Sequence, residues 1–495
     1  GELAKAYFPG GHEIKESGYD DALRKTEANF QEDSVVIYEA AIATDKLFIR
    51  ADVLVKEGNH LKLYEVKAKS FDPKDQDLFM NKNGSISAKW RPYLSDVAFQ
   101  KHVIKAALPA CKVSAHLMMV DKTAVSTVNG LNQKFRIKKG DKERRFVIVS
   151  DALSTEDLDS PILRSVNVDA HCELIYNEKN ANNDSGLNFF QRVELYADHY
   201  SKDLKISSPV SKVCENCEFH IKDSDEDEGL KSGRKECWKE NLGWKESDFN
   251  HSTVLDVWNF RRKQKLINDG VYKMCDLTED DVSPKSDGKD GLSNSERQWK
   301  QVEKDQNNDS SYWIDHINLG EEMRSWKFPL HFIDFETAAV AIPFNEGRKP
   351  YEGIAFQFSH HTLNEDGTVE HSGEYLNISP GVFPNFEFIR ALKAELEKDN
   401  GTIFRYADHE NTVLNNIHRQ IREEESALED AEELCEFIRS ISQSTKNSVE
   451  QWEGNRNMVD MMVIVKRFYY DPYTCLLYTS PSPRDQRGSR MPSSA

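Results

Sequence analysis

ADVLVKEGNHLKLYEVKAKS, residues 51–70, decides how the first half of the chain is read. Over residues 47–57 apolar and polar side chains alternate, the period of a strand with one buried face. The alternation resumes over residues 60–70 after Glu57-Gly58-Asn59, which predicts a hairpin. Residues two apart on a strand share a face, so Glu65 and Lys67 point the same way and Asp52 can oppose them from the partner strand. Two carboxylates are the hard oxygen ligands that hold Mg²⁺ or Mn²⁺. Such an ion polarises a phosphate and acidifies a water, and a neighbouring Lys orients that water or stabilises the charged transition state. The spacing D-x12-E-x-K is common in unrelated chains, and a charged hairpin face is the other reading of it.

Two neighbouring segments favour the chemical reading. VVIYEAAI (residues 35–42) sets Glu39 on a preceding strand as a further possible ligand. YLSDVAFQKHVIKAAL (93–108) is an amphipathic pattern, predicting a helix that carries Gln100 after the E-x-K strand. Further on, QKFRIKKGDKERRF (133–146) gathers Lys134, Arg136, Lys138, Lys139, Lys142, Arg144 and Arg145 on a predicted hairpin turning at Gly140-Asp141. It reads as a solvated hairpin or as an arm that contacts phosphates.

VCENCEFHIKDSDEDEGLKSGRKECWKE (213–240) has the spacing C-x2-C-x19-C, formed by Cys214, Cys217 and Cys237. Two thiolates on one tight turn reach one metal centre, which suits zinc or an iron–sulfur cluster. A fourth ligand is wanted. Cys275, Cys172, Cys111 and His220 are in-chain candidates, and the first three sit in patterns more usual for core cysteines.

HFIDFET (331–337) is an apolar strand with Asp334 and Glu336 at i and i+2. Burying two unpaired carboxylates on one strand face is costly, and a divalent cation, or pairing with Lys or Arg at the strand end, removes that cost. IAFQFSHH (354–361) reads as the next strand, and PNFEFIRALKAELEKDNG (384–401) as a helix stopped at Gly401. TIFRYADHENTVLNNI (402–417) reads as a strand ending in Asp408 and Glu410 and entering a helix, and NMVDMMVIVKRF (457–468) adds Asp460 on another helical pattern.

The chain has 495 residues and a net charge of −19, from 65 basic and 84 acidic side chains. That balance argues against a basic, coat-like nucleic-acid binder but not against an enzyme that concentrates carboxylates. No apolar run is long enough for a membrane helix and no signal-peptide pattern opens the sequence, so a cytoplasmic protein is expected. Five zones are expected: a mixed α/β domain over 1–205, a cysteine segment over 206–245, a helical connector over 246–325, a second α/β domain over 326–473, and a tail over 474–495. The connector contains the polar linker SPKSDGKDGLSNSERQWKQVEKDQNNDSS (283–311), the best boundary by composition. The tail LLYTSPSPRDQRGSRMPSSA (476–495) looks like a translated adapter, and the opening at Gly1 without Met suggests a truncated start.

The succession Glu39, Asp52, Glu65-x-Lys67 and Gln100 resembles the RecB-like branch of the PD-(D/E)XK nucleases. Ile104 stands where that branch usually has Tyr one turn after the Gln. The resemblance implies a restriction-endonuclease-like core and Mg²⁺- or Mn²⁺-dependent phosphodiester hydrolysis. RecB-like nucleases with a four-cysteine iron–sulfur cluster carry one Cys before the core and three after it. Cys214, Cys217 and Cys237 match the three, and the first would precede Gly1. On that resemblance a 4Fe-4S cluster is favoured, with zinc the alternative. The segment from Asp334 onward resembles ribonuclease H-like DEDD exonucleases, whose D-x-E motif matches Asp334 and Glu336. Glu410, ahead of Asp408, takes the second acidic place; the third acid is not found, and Asp460 is not read as that ligand. FPLHFIDFETAAVAIPFNEGRKPYEGIAFQFSHH (328–361), with the cysteine segment and VLDVWNFRRKQKLINDGVYKM (254–274), is similar to the bacterial domain-of-unknown-function family 2779. That family's usual Ser-Ile-Lys and Leu-Pro continuation after YYDP is absent, which implies a truncated end. The expected function is a nuclease acting on nucleic acid, DNA in preference to RNA, in repair, recombination or defence. A catalytically degenerate nucleic-acid-binding scaffold and a zinc-stabilised interaction protein closed by His220 or Cys275 are the alternatives.

Overall fold

The computed structural model describes residues 1–139, 145–178, 186–221, 229–446, 448 and 450–473. The turn expected at Gly140-Asp141, with Lys142 and Arg144, the acidic run from Asp223 to Glu228, and the tail 474–495 lie outside the described residues. The chain is mixed α/β and forms two compact units. Unit one comprises Gly1–Lys205, Glu336–Gln357 and Leu376–Phe388; unit two comprises Ile206–Phe335, Phe358–Tyr375 and the chain from Ile389 onward.

Unit one opens with α1 (Glu2–Ala6), β1 (His12–Glu13) and α2 (Tyr19–Asn29), then β2 (Ser34–Ala43), β3 (Phe48–Glu57) and β4 (His60–Phe71). Helix α3 (Arg91–Ala107) leads to β5 (Lys112–Asp121). Strands β6 (Phe135–Lys139) and β7 (Arg145–Val149) pair with each other, and β8 (Leu163–Asn167), α4 (Asp169–Asn177) and α5 (Phe189–Ser201) follow. The main sheet runs β1-β2-β3-β4-β5-β8. Pairing is antiparallel from β2 through β4, and β5 returns parallel to β4 after the α3 crossover. Helix α3 forms because Leu94, Val97, Ala98 and Ile104 recur at helical spacing, and all four are fully buried against Leu54, Leu61, Leu63 and Leu117 of the sheet. Ile104 is therefore a core residue.

Unit two contains α6 (Gly233–Leu242), α7 (Lys263–Asn268), α8 (Glu279–Val282), α9 (Asn294–Gln306), β9 (Trp313–Ile314) and α10 (His316–Ser325). Helix α9 lies inside the stretch expected as a linker. Its start has a full capping box, Ser293 with Glu296, and Val302 joins the core of Trp238, Val254, Leu255 and Leu266. Composition conceals this helix because much of its buried side is polar. Gln301 accepts from the Trp258 N–H at 2.9 Å and donates to the Asp256 carbonyl at 2.9 Å, and Gln298 donates to the carbonyls of Trp258 and Asn259. Buried amides satisfied in this way cost little.

A five-stranded sheet is built from β10 (Leu330–Ala338), β11 (Ile354–Leu363), β12 (Val369–Leu376), β13 (Ile403–Arg405) and β14 (Val459–Asp460), ordered β12-β11-β10-β13-β14. Strands β13 and β14 run parallel to the central β10. Helices α11 (Asn385–Leu396), α12 (His409–Glu423), α13 (Ala431–Ile441) and α14 (Met461–Phe468) connect them, and β15 (Tyr469–Tyr470) pairs with β9. Helix α11 ends at Leu396, so Gly401 is not its stop. Gly401 is needed because a side chain there would collide with the Pro329 carbonyl at the entry to β10. No helix among the described residues is long and apolar enough to cross a membrane.

Candidate active site

The β3–β4 register pairs Val53 with Tyr64, so Asp52 and Glu65 come next, facing each other where the pairing ends. On the other side, β2 and β3 pair Tyr38 with Val53 and Ala40 with Ala51, which sets Glu39 across from Asp52. Glu39 has φ of 55°, a left-handed conformation that non-glycine residues adopt sparingly. The β4–β5 register shifts between Val66 and Ser70, so β4 breaks its regular pairing at Lys67. Carboxylate residues thus hold neighbouring register positions on three adjacent strands, next to a local irregularity that carries a Lys.

Glu65 is 5% exposed. Its Oε1 lies 2.6 Å from Lys67 Nζ, and its Oε2 accepts from Gln100 Nε2 at 2.7 Å. Burial, with the charges of Asp52 and Asp96 adding, pushes the Glu65 carboxyl up to about 7 against the pull of Lys67. Asp52 is raised by burial as well, although its Oδ2 accepts from the Val66 N–H at 2.7 Å. Burial and the Asp52 charge raise Glu39, with Arg50 at 3.7 Å opposing. Burial works against the Lys67 ammonium, but Glu65 and Asp96 outweigh it and raise its pKa, so Lys67 stays charged.

Asp96 was not among the residues expected from sequence. It accepts from Lys67 at 2.9 Å through Oδ2 and from Gln100 at 3.1 Å through Oδ1. Asp96 and Gln100 are four apart on α3 and so share a face one turn apart, a spacing visible in YLSDVAFQ. The donor set suits a hard divalent cation, because crowded, desolvated carboxylates gain from one. Among the described residues, however, no three His, Cys, Asp or Glu side chains converge as a metal-ion site, and Lys67 supplies the counter-charge at Glu65.

In the second sheet, Asp334 and Glu336 sit two apart on β10. The expectation that both acids lie on a buried strand face does not hold: Asp334 is exposed and Glu336 half-buried, while His331, Ile333 and Phe335 fill the buried face. Glu410, in the first turn of α12, is 4% exposed, and its Oε2 has no hydrogen-bond partner. Burial pushes its carboxyl to about 7, with Asp334 and Asp460 adding and a bond from its own backbone N–H and the Arg405 charge opposing. Asp408 is exposed and turned to Arg405 at 3.1 Å. Glu410, rather than Asp408, therefore shares the field of Asp334. Asp460 ends β14 and caps α14, accepting from the Met462 N–H at 2.9 Å and the Ala407 N–H at 3.1 Å.

Cys214 lies on a short turn of 3-10 helix (Lys212–Asn216), Cys217 just follows it, and Cys237 lies on α6. All three are free and half-buried, and Cys214 and Cys237 pack against the core that holds Trp238. They are not gathered as a metal site among the described residues, nor are His220 or Cys275 brought in to close one.

No curated protein and no solved structure matches the chain. Residues 331–475 match the family model described as Domain of unknown function (DUF2779), which supports assigning this stretch to that family.

Proposed function

We propose that the chain is a metal-dependent nuclease whose first centre is Asp52, Glu65 and Lys67, supported by Glu39, Asp96 and Gln100. The observation that carries this reading is the Glu65 carboxyl. It is buried opposite Asp52, raised to about 7, and held by Lys67 at 2.6 Å and Gln100 at 2.7 Å. Desolvated acids beside a fixed cation are the arrangement found where titration has been tuned for chemistry. Asp52 and Glu65 would hold Mg²⁺ or Mn²⁺, which when bound polarises the scissile phosphate and acidifies the attacking water. Gln100 orients Glu65, and Asp96 holds Lys67 charged and aimed. Lys67 then stands ready to stabilise charge developing on the phosphoryl oxygens.

Asp334, Glu336 and Glu410 are proposed as a second, ribonuclease H-like centre. The order β12-β11-β10-β13-β14 is third, second, first, fourth and fifth in chain sequence, with the D-x-E strand central, and this supports the reading. An iron–sulfur cluster on Cys214, Cys217 and Cys237 rests on their spacing and on the resemblance. DNA is the preferred substrate. A second reading, a nucleic-acid-binding scaffold with a degenerate site, is favoured by one observation: both Glu65 oxygens already have protein partners.

The test is Mg²⁺- and Mn²⁺-dependent cleavage of labelled single- and double-stranded DNA and RNA by the chain and by Lys67→Ala and Asp334→Ala. Loss of cleavage in Lys67→Ala assigns the activity to the first centre. Loss in Asp334→Ala alone moves it to the second, and no cleavage by the unaltered chain removes the enzyme reading.

A further inference from the structure

A polar cavity lies along α12, beyond Glu410. Thr412, Asn415, Asn416 and Arg419 recur at helical spacing and line one side of it. The other side is formed by Thr445, Lys446, Ser448, Glu450 and Trp452, which follow α13. It is fastened to α12 by Asn411 and Asn415, whose amides both donate to the Gln443 carbonyl at 2.9 Å, and by Ser448, whose hydroxyl donates to Asn415 at 2.7 Å. Trp452 is fixed by an indole N–H bond to Ser442 at 3.1 Å, and its ring meets the His418 ring with centroids 4.8 Å apart. The cavity holds about 650 Å³, and its two walls belong to one compact unit.

Three features identify the kind of ligand. First, the lining is cationic in a chain of net charge −19: Arg419, Arg422 and Lys446 stand against Glu450. Arg422 is already bound to Glu432 at 2.7 Å, but among the described residues Arg419 meets only Asn416 at 3.3 Å and Glu423 at 3.9 Å, both long contacts, and both Arg419 and Lys446 are exposed. Second, His418 lines the cavity at 6% exposure, and its Nε2 is buried without a hydrogen-bond partner, a costly arrangement. Burial and the Arg422 charge lower its pKa against the pull of Glu450 and Glu432, so the ring behind Trp452 is held neutral. Third, the half-buried Trp452 ring, packed at a tilt of 37° on the His418 ring behind it, gives the cavity an aromatic wall. An inorganic anion would leave that wall unused, and an apolar ligand would leave the cations unused.

We propose that this cavity binds a nucleotide unit, its base against Trp452 and its phosphate at Arg419 and Lys446. Stacking tolerates any base, and paired cations supply phosphate affinity. Arg419 lies nine residues beyond Glu410, roughly 13 Å along the helix, so the site is an anchor separate from the acids. The inference does not require either proposed centre to be catalytic, so absence of cleavage leaves it standing.

Calorimetric titration of the whole chain with deoxyadenosine monophosphate, a deoxyadenylate oligonucleotide, deoxyadenosine and inorganic phosphate tests it. The expected result is binding of a phosphate-bearing nucleotide, weakened about tenfold or more when either the base or the phosphate is missing. The double substitution Arg419→Glu with Lys446→Glu should lower affinity about tenfold or more without moving the melting temperature, because both side chains are exposed. Trp452→Leu should weaken binding and Trp452→Phe should keep it. Equal affinity for mononucleotide and oligonucleotide identifies a free nucleotide as the ligand, and tighter binding of the oligonucleotide identifies a strand. Absence of binding, inorganic phosphate binding as tightly as the nucleotide, or unchanged affinity in the double variant overturns the proposal.

Discussion

Glu65 of the first sheet and Glu410 beside the second reach the same condition, a buried carboxyl pushed to about 7, with different surroundings. Glu65 is enclosed by partners: Lys67 on one oxygen, Gln100 on the other, and Asp52 and Asp96 adding charge. Glu410 has Asp334, Asp460 and Arg405 in its field, while its Oε2 meets no donor. Equal titration therefore conceals unequal organisation. The first site is already a network with its cation in place, and the second is an acid with a backbone bond but no partner at Oε2. Raised carboxyls report desolvation and like charge, and only the hydrogen-bond inventory separates a positioned group from an unsatisfied one.

The largest expected effect falls on the organised site. Replacing Lys67 with Ala removes the fixed cation and should lower metal-dependent cleavage by about 10²–10³, the loss typical of one transition-state donor. Retention of full cleavage in Lys67→Ala would break the comparison by making the network structural. The unsatisfied acid should respond through stability instead. A carboxyl raised from 4.5 to about 7 favours its neutral form in the fold, so stability is lost as pH rises from about 4.5 to 7 and stays lost above. Glu410→Gln should therefore raise the unfolding free energy at pH 8 by on the order of 2 kcal/mol and change it little at pH 4. Glu65→Gln should gain less, because it also gives up the ion pair to Lys67. Urea unfolding of both variants at the two pH values reads the difference, and an equal or larger gain for Glu65→Gln would show that its network contributes nothing.

The two sites also differ in how far sequence reveals them. The period of two over residues 51–70 brings Asp52, Glu65 and Lys67 together, because hairpin register follows from alternation and turn. Gln100 follows from its place on an amphipathic helix. Asp96 is harder to see: it is one polar residue on a polar helix side, and only the arrival of Lys67 distinguishes it. In the second sheet, Asp408 and Glu410 are near neighbours in sequence, and the choice between them depends on their surroundings: Asp408 is exposed and paired with Arg405, while Glu410 is buried. Helix α9 was hidden for a related reason. Gln298 and Gln301 are buried by bonding to backbone at Asp256, Trp258 and Asn259, partners far off in the chain. Periodicity locates apolar faces, but a buried polar side chain becomes legible only once its partner is known.

Asp96 provides the smallest and most discriminating effect. It touches Lys67 at 2.9 Å and Gln100 at 3.1 Å, while Glu65 meets the same two side chains. Asp96→Asn keeps the shape and one acceptor but removes a charge. Two consequences oppose each other. Lys67 is held less firmly, which should slow cleavage about tenfold at neutral pH, as loss of a supporting residue does. Glu65 loses a repelling neighbour, so its carboxyl should titrate lower and the acidic limb of the pH–rate profile should move to lower pH. A slower rate with a shifted limb is the signature of Asp96 acting through both partners. A slower rate with an unmoved limb would mean that burial and Asp52 set Glu65 without Asp96, and the organised site would then differ from Glu410 in the company of Lys67 and Gln100.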